Sequence, residues 1–147
     1  MGLVYADIEI IRSADLVLVD EGHLEPNKVR RMTVRAMVDS GAYMLTLNEQ
    51  ICAQLDLRKR DEQFAETADG RRLKLDVVGP VELRFANRWT SCDAMVLPGD
   101  AEVLLGAIPM EALDVVIHPK KQELVVNPEN PYTPKRSLKS FRGPVQT

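Results

Sequence analysis

The sequence predicts an all-β domain with one or two short helices, and three observations carry that reading. Along most of the chain apolar residues recur with period two, as on a strand with one covered face. Glycine, proline, asparagine and aspartate break these runs into strand-length pieces, with Asp69-Gly70 a hairpin signal. The chain has 147 residues, 45% of them hydrophobic, which suits a single packed core.

Val4, Ala6, Ile8 and Ile10 alternate with Tyr5, Asp7 and Glu9 as a first half-buried strand. Leu16-Val17-Leu18-Val19 is a continuous apolar run, expected as a strand buried on both faces. Glu21-Gly22 and Glu25-Pro26-Asn27 punctuate a loop. Met32, Val34, Ala36 and Val38 make a second alternating strand that runs into Asp39-Ser40-Gly41-Ala42, and Leu45 and Leu47 continue extended. Asn48 is a favoured N-cap, Glu49 suits the positive end of a helix, and Ile51, Cys52 and Leu55 share one face, so a short helix opens here.

Arg58-Lys59-Arg60-Asp61-Glu62 mixes both charge signs and reads as a solvated loop. Phe64 to Leu75 reads as a hairpin turning at Asp69-Gly70. Val81, Leu83 and Phe85 form another strand, Asn87-Arg88 a turn, Trp89 a covered strand residue, and Asp93 to Leu97 a further strand. Gly106 stops the run Val103-Leu104-Leu105, and Pro109 suits the first position of a helix carrying Met110, Ala112 and Leu113. Val115-Val116-Ile117 and Leu124-Val125-Val126 pair around Pro119-Lys120-Lys121-Gln122.

The composition divides the chain into a body, residues 1–127, and an arm, residues 128–147. The arm holds four of the nine prolines, four basic residues and one acid, which makes it +3 and leaves the body −6. It lacks periodicity and is expected to be extended and irregular.

Several function classes fall away. No apolar run approaches the ~18 residues of a membrane span. The N-terminus lacks the basic start and long apolar stretch of a signal peptide, which makes the cytoplasm the expected address. A net charge of −3 argues against a nucleic-acid binder held by phosphate contacts. Cys52 and Cys92 are no disulfide framework, and Cys52 on an apolar helix face reads as a buried, inert thiol. His23 and His118 are distant from each other and no Cys/His pair has ligand spacing, so no metal is expected. Ser40 lies outside any Gly-x-Ser-x-Gly elbow, and no phosphate-cradling loop ends in Gly-Lys-Ser/Thr.

Three features remain. Asp39-Ser40-Gly41-Ala42 ends an apolar strand, Leu104-Leu105-Gly106 follows far along the chain just before a helix, and the Asp69-Gly70 hairpin lies between them. Asp and Gly are common in turns for local reasons, so the tripeptide alone says little.

In this order and spacing the features resemble the retropepsin-like aspartic proteases, in particular the small bacterial single-domain members of that clan. The resemblance covers about residues 1 to 130. It implies a closed or partly open β-barrel of the acid-protease type, hydrolysing peptide bonds of a peptide or protein substrate with no cofactor. Asp39, Ser40 and Gly41 would be the catalytic turn. Ala42 and the flap residues Ala68, Asp69 and Gly70 would meet the substrate, and Leu104, Leu105 and Gly106 would support the site.

A single Asp-Ser-Gly per chain supplies half a site, so the resemblance implies a homodimer with Asp39 facing its copy and Ser40 bonding across the axis. The chain also departs from the family pattern. Tyr43 stands where a small or acidic residue is usual, and Ala107 replaces the Arg or Asn of viral members, so the viral Arg-to-Asp clamp cannot hold this dimer. The flap carries one glycine. Ala42 stands where two-lobed pepsin-like enzymes carry a hydroxyl residue, which implies activity reaching toward neutral pH. The competing reading is a protein-binding module of the same fold without proteolysis.

Overall fold

The computed structural model describes residues 2–135. Among them are nine strands, three short α-helices and one 3-10 turn at Pro26–Lys28. In chain order these are β1 (Tyr5–Arg12), α1 (Ser13–Asp20), β2 (Arg31–Val38), β3 (Leu45–Asn48), α2 (Glu49–Gln54), β4 (Lys59–Glu66), β5 (Arg72–Phe85) and β6 (Arg88–Leu97). They are followed by β7 (Val103–Leu105), α3 (Ala107–Leu113), β8 (Val115–His118) and β9 (Glu123–Val126).

Six strands pair in the order β1-β2-β7-β3-β6-β5, and β5 returns to β1 through Glu9↔Arg84 to Arg12↔Val81. The barrel is therefore closed, which removes the edges an open sheet would expose. The alternation read in the sequence lines its interior. Ile8 and Ile10 from β1, Ala36 from β2, Leu45 and Leu47 from β3, and Leu83 from β5 are buried to 1% exposure or less. Each large aliphatic side chain so covered is worth roughly 1.5–3 kcal/mol. The β8–β9 hairpin forms a separate two-stranded sheet, paired Val115↔Val126 to His118↔Glu123.

β5 is long because it serves two structures. Its second half, Val81 to Phe85, belongs to the barrel, Val77 and Val78 pair with both β6 and β4, and Arg72 to Asp76 leave the barrel to pair with β4 alone. A bulge between Val78 and Val81 makes the bend. Gly79 sits there at φ 136°, where an added Cβ would meet Asp93 Oδ1 at 2.7 Å. β4 thus stands outside the barrel as a free edge, forming the flap with β5.

Five expectations need correction. Helices number three rather than one or two among the described residues. Leu16–Val19 is helix, not a doubly buried strand, and Val17 is 53% exposed. A buried carboxylate anchors this helix rather than its apolar residues. Asp15, 1% exposed, pairs with Arg12 NH1 at 2.6 Å and accepts the Arg30 amide at 2.8 Å, and a helical turn is what brings Arg12 and Asp15 together. Arg58–Glu62 is not simply loop, since Lys59–Glu62 begin β4. The turn precedes Arg88, at Ala86-Asn87 with Ala86 at φ 52°, so Arg88 faces inward, wholly buried, while Trp89 is 55% exposed. Pro109 is the third residue of α3, which starts at Ala107, and its missing N–H costs nothing in a first turn.

No helix among the described residues is long and apolar enough to cross a membrane. The first residues of the arm, through Lys135, are irregular and lie against Asn87, Arg88 and Asp114. The expectation for the rest of the arm falls outside the described residues.

Burial alone would raise the Asp15 pKa, but the Arg30 amide and the Arg12 and Arg30 guanidiniums together hold it below the ordinary 3.8. A lowered folded-state pKa stabilises the fold above the unfolded value and loses that contribution as pH falls through the folded one. Asp15→Ala is expected to cost about 2–3 kcal/mol in urea unfolding at pH 7, since two cations lose their partner. At pH values below the folded-state pKa the difference from the parent should shrink.

Candidate active site

The site grows from one crossing of backbone. β7 is threaded between β2 and β3, parallel to β2 (Met37↔Leu104) and antiparallel to β3 (Thr46↔Leu104). β2 and β3 are thereby held apart, and the chain joining them, Asp39 to Met44, must loop over the end of β7. The Asp39 amide continues the pairing by donating to the Leu105 carbonyl at 3.0 Å.

Asp39 then closes a turn on itself. Its Oδ1 accepts the Gly41 amide at 2.9 Å and its carbonyl accepts the Ala42 amide at 3.0 Å. An aspartate that bonds its own backbone two residues on is a self-sufficient turn, and here that bond also fixes the direction of the carboxylate. Ser40 and Gly41 are exposed at the crest.

Beneath the loop, α3 begins against it. The Ala107 amide donates to the Ala42 carbonyl at 2.9 Å and the Ile108 amide to the Tyr43 carbonyl at 3.0 Å. These are free N–H groups of a helix first turn, spent on the loop. Such contact requires Gly106. A Cβ there would stand 2.8 Å from the Tyr43 carbonyl carbon and closer still to the Met44 carbonyl oxygen.

A cleft of about 680 Å³ opens beside this loop. Gly41–Met44, Leu104 and Ile108 form one side, and Met95 and Leu97 of β6 the floor with Leu73 and Leu75 of β5. Gln63 to Thr67 on the β4 arm close it. The wall is mostly apolar and begins at Gly41, which leaves the Asp39 carboxylate beside the cleft.

The hairpin that crosses the cleft is stiffened at both ends. At its tip the Thr67 amide reaches the Arg71 carbonyl at 2.8 Å, Gly70 adopts φ 84°, and Asp69 receives the Thr67 hydroxyl and Arg71 Nε. The Thr67 hydroxyl first, and then the Arg71 amide, hold the Asp69 carboxyl below the usual range. At its base Glu62 accepts from Lys59 and Lys74, each at 2.8 Å, and these two ammonium groups lower its pKa to about 2.

The sequence reading and the geometry meet in part. Asp39, Ser40, Gly41, Ala42, Leu104, Leu105 and Gly106 come together in one junction. Ala68, Asp69 and Gly70 sit exposed at the flap tip, while Thr67 and the four residues before it line the cleft. Phe64 was missed as a site residue. It lines the cleft, is 62% exposed and carries the Arg72 guanidinium 4.5 Å above its ring. The signal for its arm was the opposite charges of Lys59 and Glu62 against Lys74 and Asp76, which suit facing strands.

Other chemistry is not supplied. Burial raises the Cys52 thiol to about 11 and the Cys92 thiol to about 12, so neither is a ready thiolate. Among the described residues no group of three or more His, Cys, Asp or Glu is placed to hold a metal.

Residues 27–113 match the family model described as "gag-polyprotein putative aspartyl protease". The match takes in the Asp39 turn, the flap and Gly106. A search of the curated proteins finds no match.

The two glycines should respond differently to a methyl group. Gly106→Ala forces backbone apart and is expected to cost about 3 kcal/mol or more in urea unfolding. Gly41→Ala, exposed and with 3.2 Å to Asp39 Oδ1, should change stability by less than about 1 kcal/mol.

Proposed function

We propose, since the chain belongs to the gag-polyprotein aspartyl protease family, that it is an aspartic endopeptidase working as a symmetric pair of chains. The observation that carries this reading is the Asp39 turn, with a carboxylate aimed by the Gly41 amide beside an apolar cleft under a hairpin. Each chain brings one such turn, and the chemistry needs two. Two carboxylates in contact cannot both ionise cheaply, so a pair shares one proton.

In that pair the ionised carboxylate takes a proton from a bound water, whose oxygen attacks the scissile carbonyl carbon. The protonated partner donates to the carbonyl oxygen. The resulting gem-diol collapses as the newly protonated carboxyl gives its proton to the amine nitrogen, the other carboxylate takes a proton from a gem-diol hydroxyl, and the C–N bond breaks, leaving the pair with one shared proton. A two-fold axis beside Asp39 supplies the second carboxylate from another copy and lets the Ser40 hydroxyls bond across it. Tyr43, 64% exposed, and Ile108, 47% exposed, flank this turn and support its being covered by a second chain.

The substrate is proposed to lie extended along β4. That strand is paired on one side with β5, which leaves its other edge free to bond a peptide backbone, while the cleft receives side chains. Ala68, Asp69 and Gly70 then sit where the flap tip closes over the peptide.

The test is cleavage of a mixed peptide library with the Asp39→Asn variant beside the parent, with sedimentation of both. Asp39→Asn should reduce cleavage at least about 10³-fold while the dimer persists. A strictly monomeric parent, or one that cleaves as well without the Asp39 carboxylate, would overturn the reading. Ala42→Ser adds a hydroxyl that can donate to the ionised pair, and the basic limb of the pH–rate profile should move to lower pH. An unmoved limb would show that the added hydroxyl does not reach the carboxylates.

A further inference from the structure

Asp114 ends α3 in the left-handed conformation, at φ 55°. Glycine or asparagine is the usual residue there, because a Cβ is strained. What aspartate adds is a carboxylate, and every bond it receives from an uncharged donor comes from one later segment. Oδ1 accepts Asn127 Nδ2 at 3.0 Å, and Oδ2 accepts Asn130 Nδ2 at 2.8 Å and the Lys135 amide at 2.9 Å. The Asp114 carbonyl accepts the Asn127 amide at 3.1 Å.

The same segment meets the barrel. The buried Arg88 guanidinium donates to the Asn130 carbonyl and stands 3.8 Å from Asp114 Oδ2, and Asn87 Nδ2 donates to the Pro131 carbonyl at 2.9 Å. The chain leaving β9 is therefore folded back and fixed to two things at once, the turn between β5 and β6 and the C-terminal end of α3. The N-terminal end of that helix, two turns away, carries the Ala42 and Tyr43 carbonyls of the Asp39 loop. A helix this short has no independent stability, so what holds one end limits the motion of the other.

We propose that Asn127–Lys135 is a strap that sets the position of the Asp39 loop through α3, with Asp114 as its positioning residue. The inference rests on the aspartic reading of Asp39 for its effect on catalysis, but not for its effect on the loop. A chain cut within the strap is a poorer enzyme, and one cut after Lys135 keeps every contact described here. The arm thereby offers a place at which processing would tune activity.

Hydrogen exchange in the full-length protein tests this. Asp114→Gly keeps the left-handed helix end without strain and removes the carboxylate. The Ala107 and Ile108 amides, which donate to the loop, should exchange about 10-fold faster, with β5 and β6 amides unchanged. On peptides kcat should fall by about the same factor with KM within twofold, as expected of misplaced catalytic groups. Asn130→Ala removes one bond and should act in the same direction, about threefold.

The strap is overturned if Ala107 and Ile108 stay protected in both variants while Asn127 to Lys135 exchange faster. If Asp114→Gly loosens the whole barrel, Asn130→Ala decides, because an effect at Ala107 and Ile108 alone supports the strap and none there overturns it. Exchange needs no peptidase activity, so an inactive parent would count against the aspartic reading and leave this test standing.

Discussion

Without a side chain at Gly106, β7 and α3 meet the Ala42–Met44 loop main chain to main chain, and much of the molecule follows from that contact. β7 can lie between β2 and β3 because nothing projects where the loop must pass over it. The first amides of α3 can then be spent on the loop carbonyls. Asp39 is aimed as a result, since its amide is fixed to Leu105 from below and its carboxylate to Gly41 from within the turn. A carboxylate held this way is already oriented, which is the preorganisation that the proposed catalytic role would need.

Charge enters this fold mainly where chain outside the barrel has to be held. Asp15 ties α1 to β1 and to the approach to β2, and Asp114 ties the arm to α3 and to the β5–β6 turn. In both places short segments with little apolar area to bury are fixed by a carboxylate that collects several donors. Removing such an acceptor leaves several donors, most of them part-buried, without their partner at once, and that loss exceeds the net gain of forming one ordinary hydrogen bond. The barrel itself uses apolar alternation and closure instead.

This division explains what could be read from the sequence. β1 and β2 were legible because period-two burial is written in their own residues, and β3, β8 and β9 because they are short apolar segments between turn signals. Asn48 announced α2 because a capping side chain acts locally, and it does accept the Ile51 amide. Leu16–Val19 misled because its helix is decided by Asp15 finding Arg30, fifteen residues away, and not by its apolar run. The first arm of the flap was opaque for a related reason. An edge strand outside a core has no covered face to alternate, and β4 is exposed at nearly every position. The Asp39 turn and Gly106 were legible as motifs, whereas the reason they belong together, backbone contacts between segments more than about sixty positions apart, is tertiary.

The contrast between the two walls of the cleft bears on how such a site would work. One wall is the junction of Asp39, Leu105 and Gly106, held by main-chain bonds to β7 and to the start of α3. The other is a two-stranded hairpin whose β4 arm has a free edge, held at its base by exposed ion pairs that are individually weak in water. Motion should therefore concentrate in the flap, while the carboxylate stays where it is. Its tip is stiff, with Gly70 bracketed by Thr67, Asp69 and Arg71, so the hairpin would swing about its base as a unit and not curl at its end. The natural hinge for that swing lies just before Val77, the last β5 residue on the flap side that pairs with β6, because Arg72 to Lys74 beyond it are exposed or half-buried.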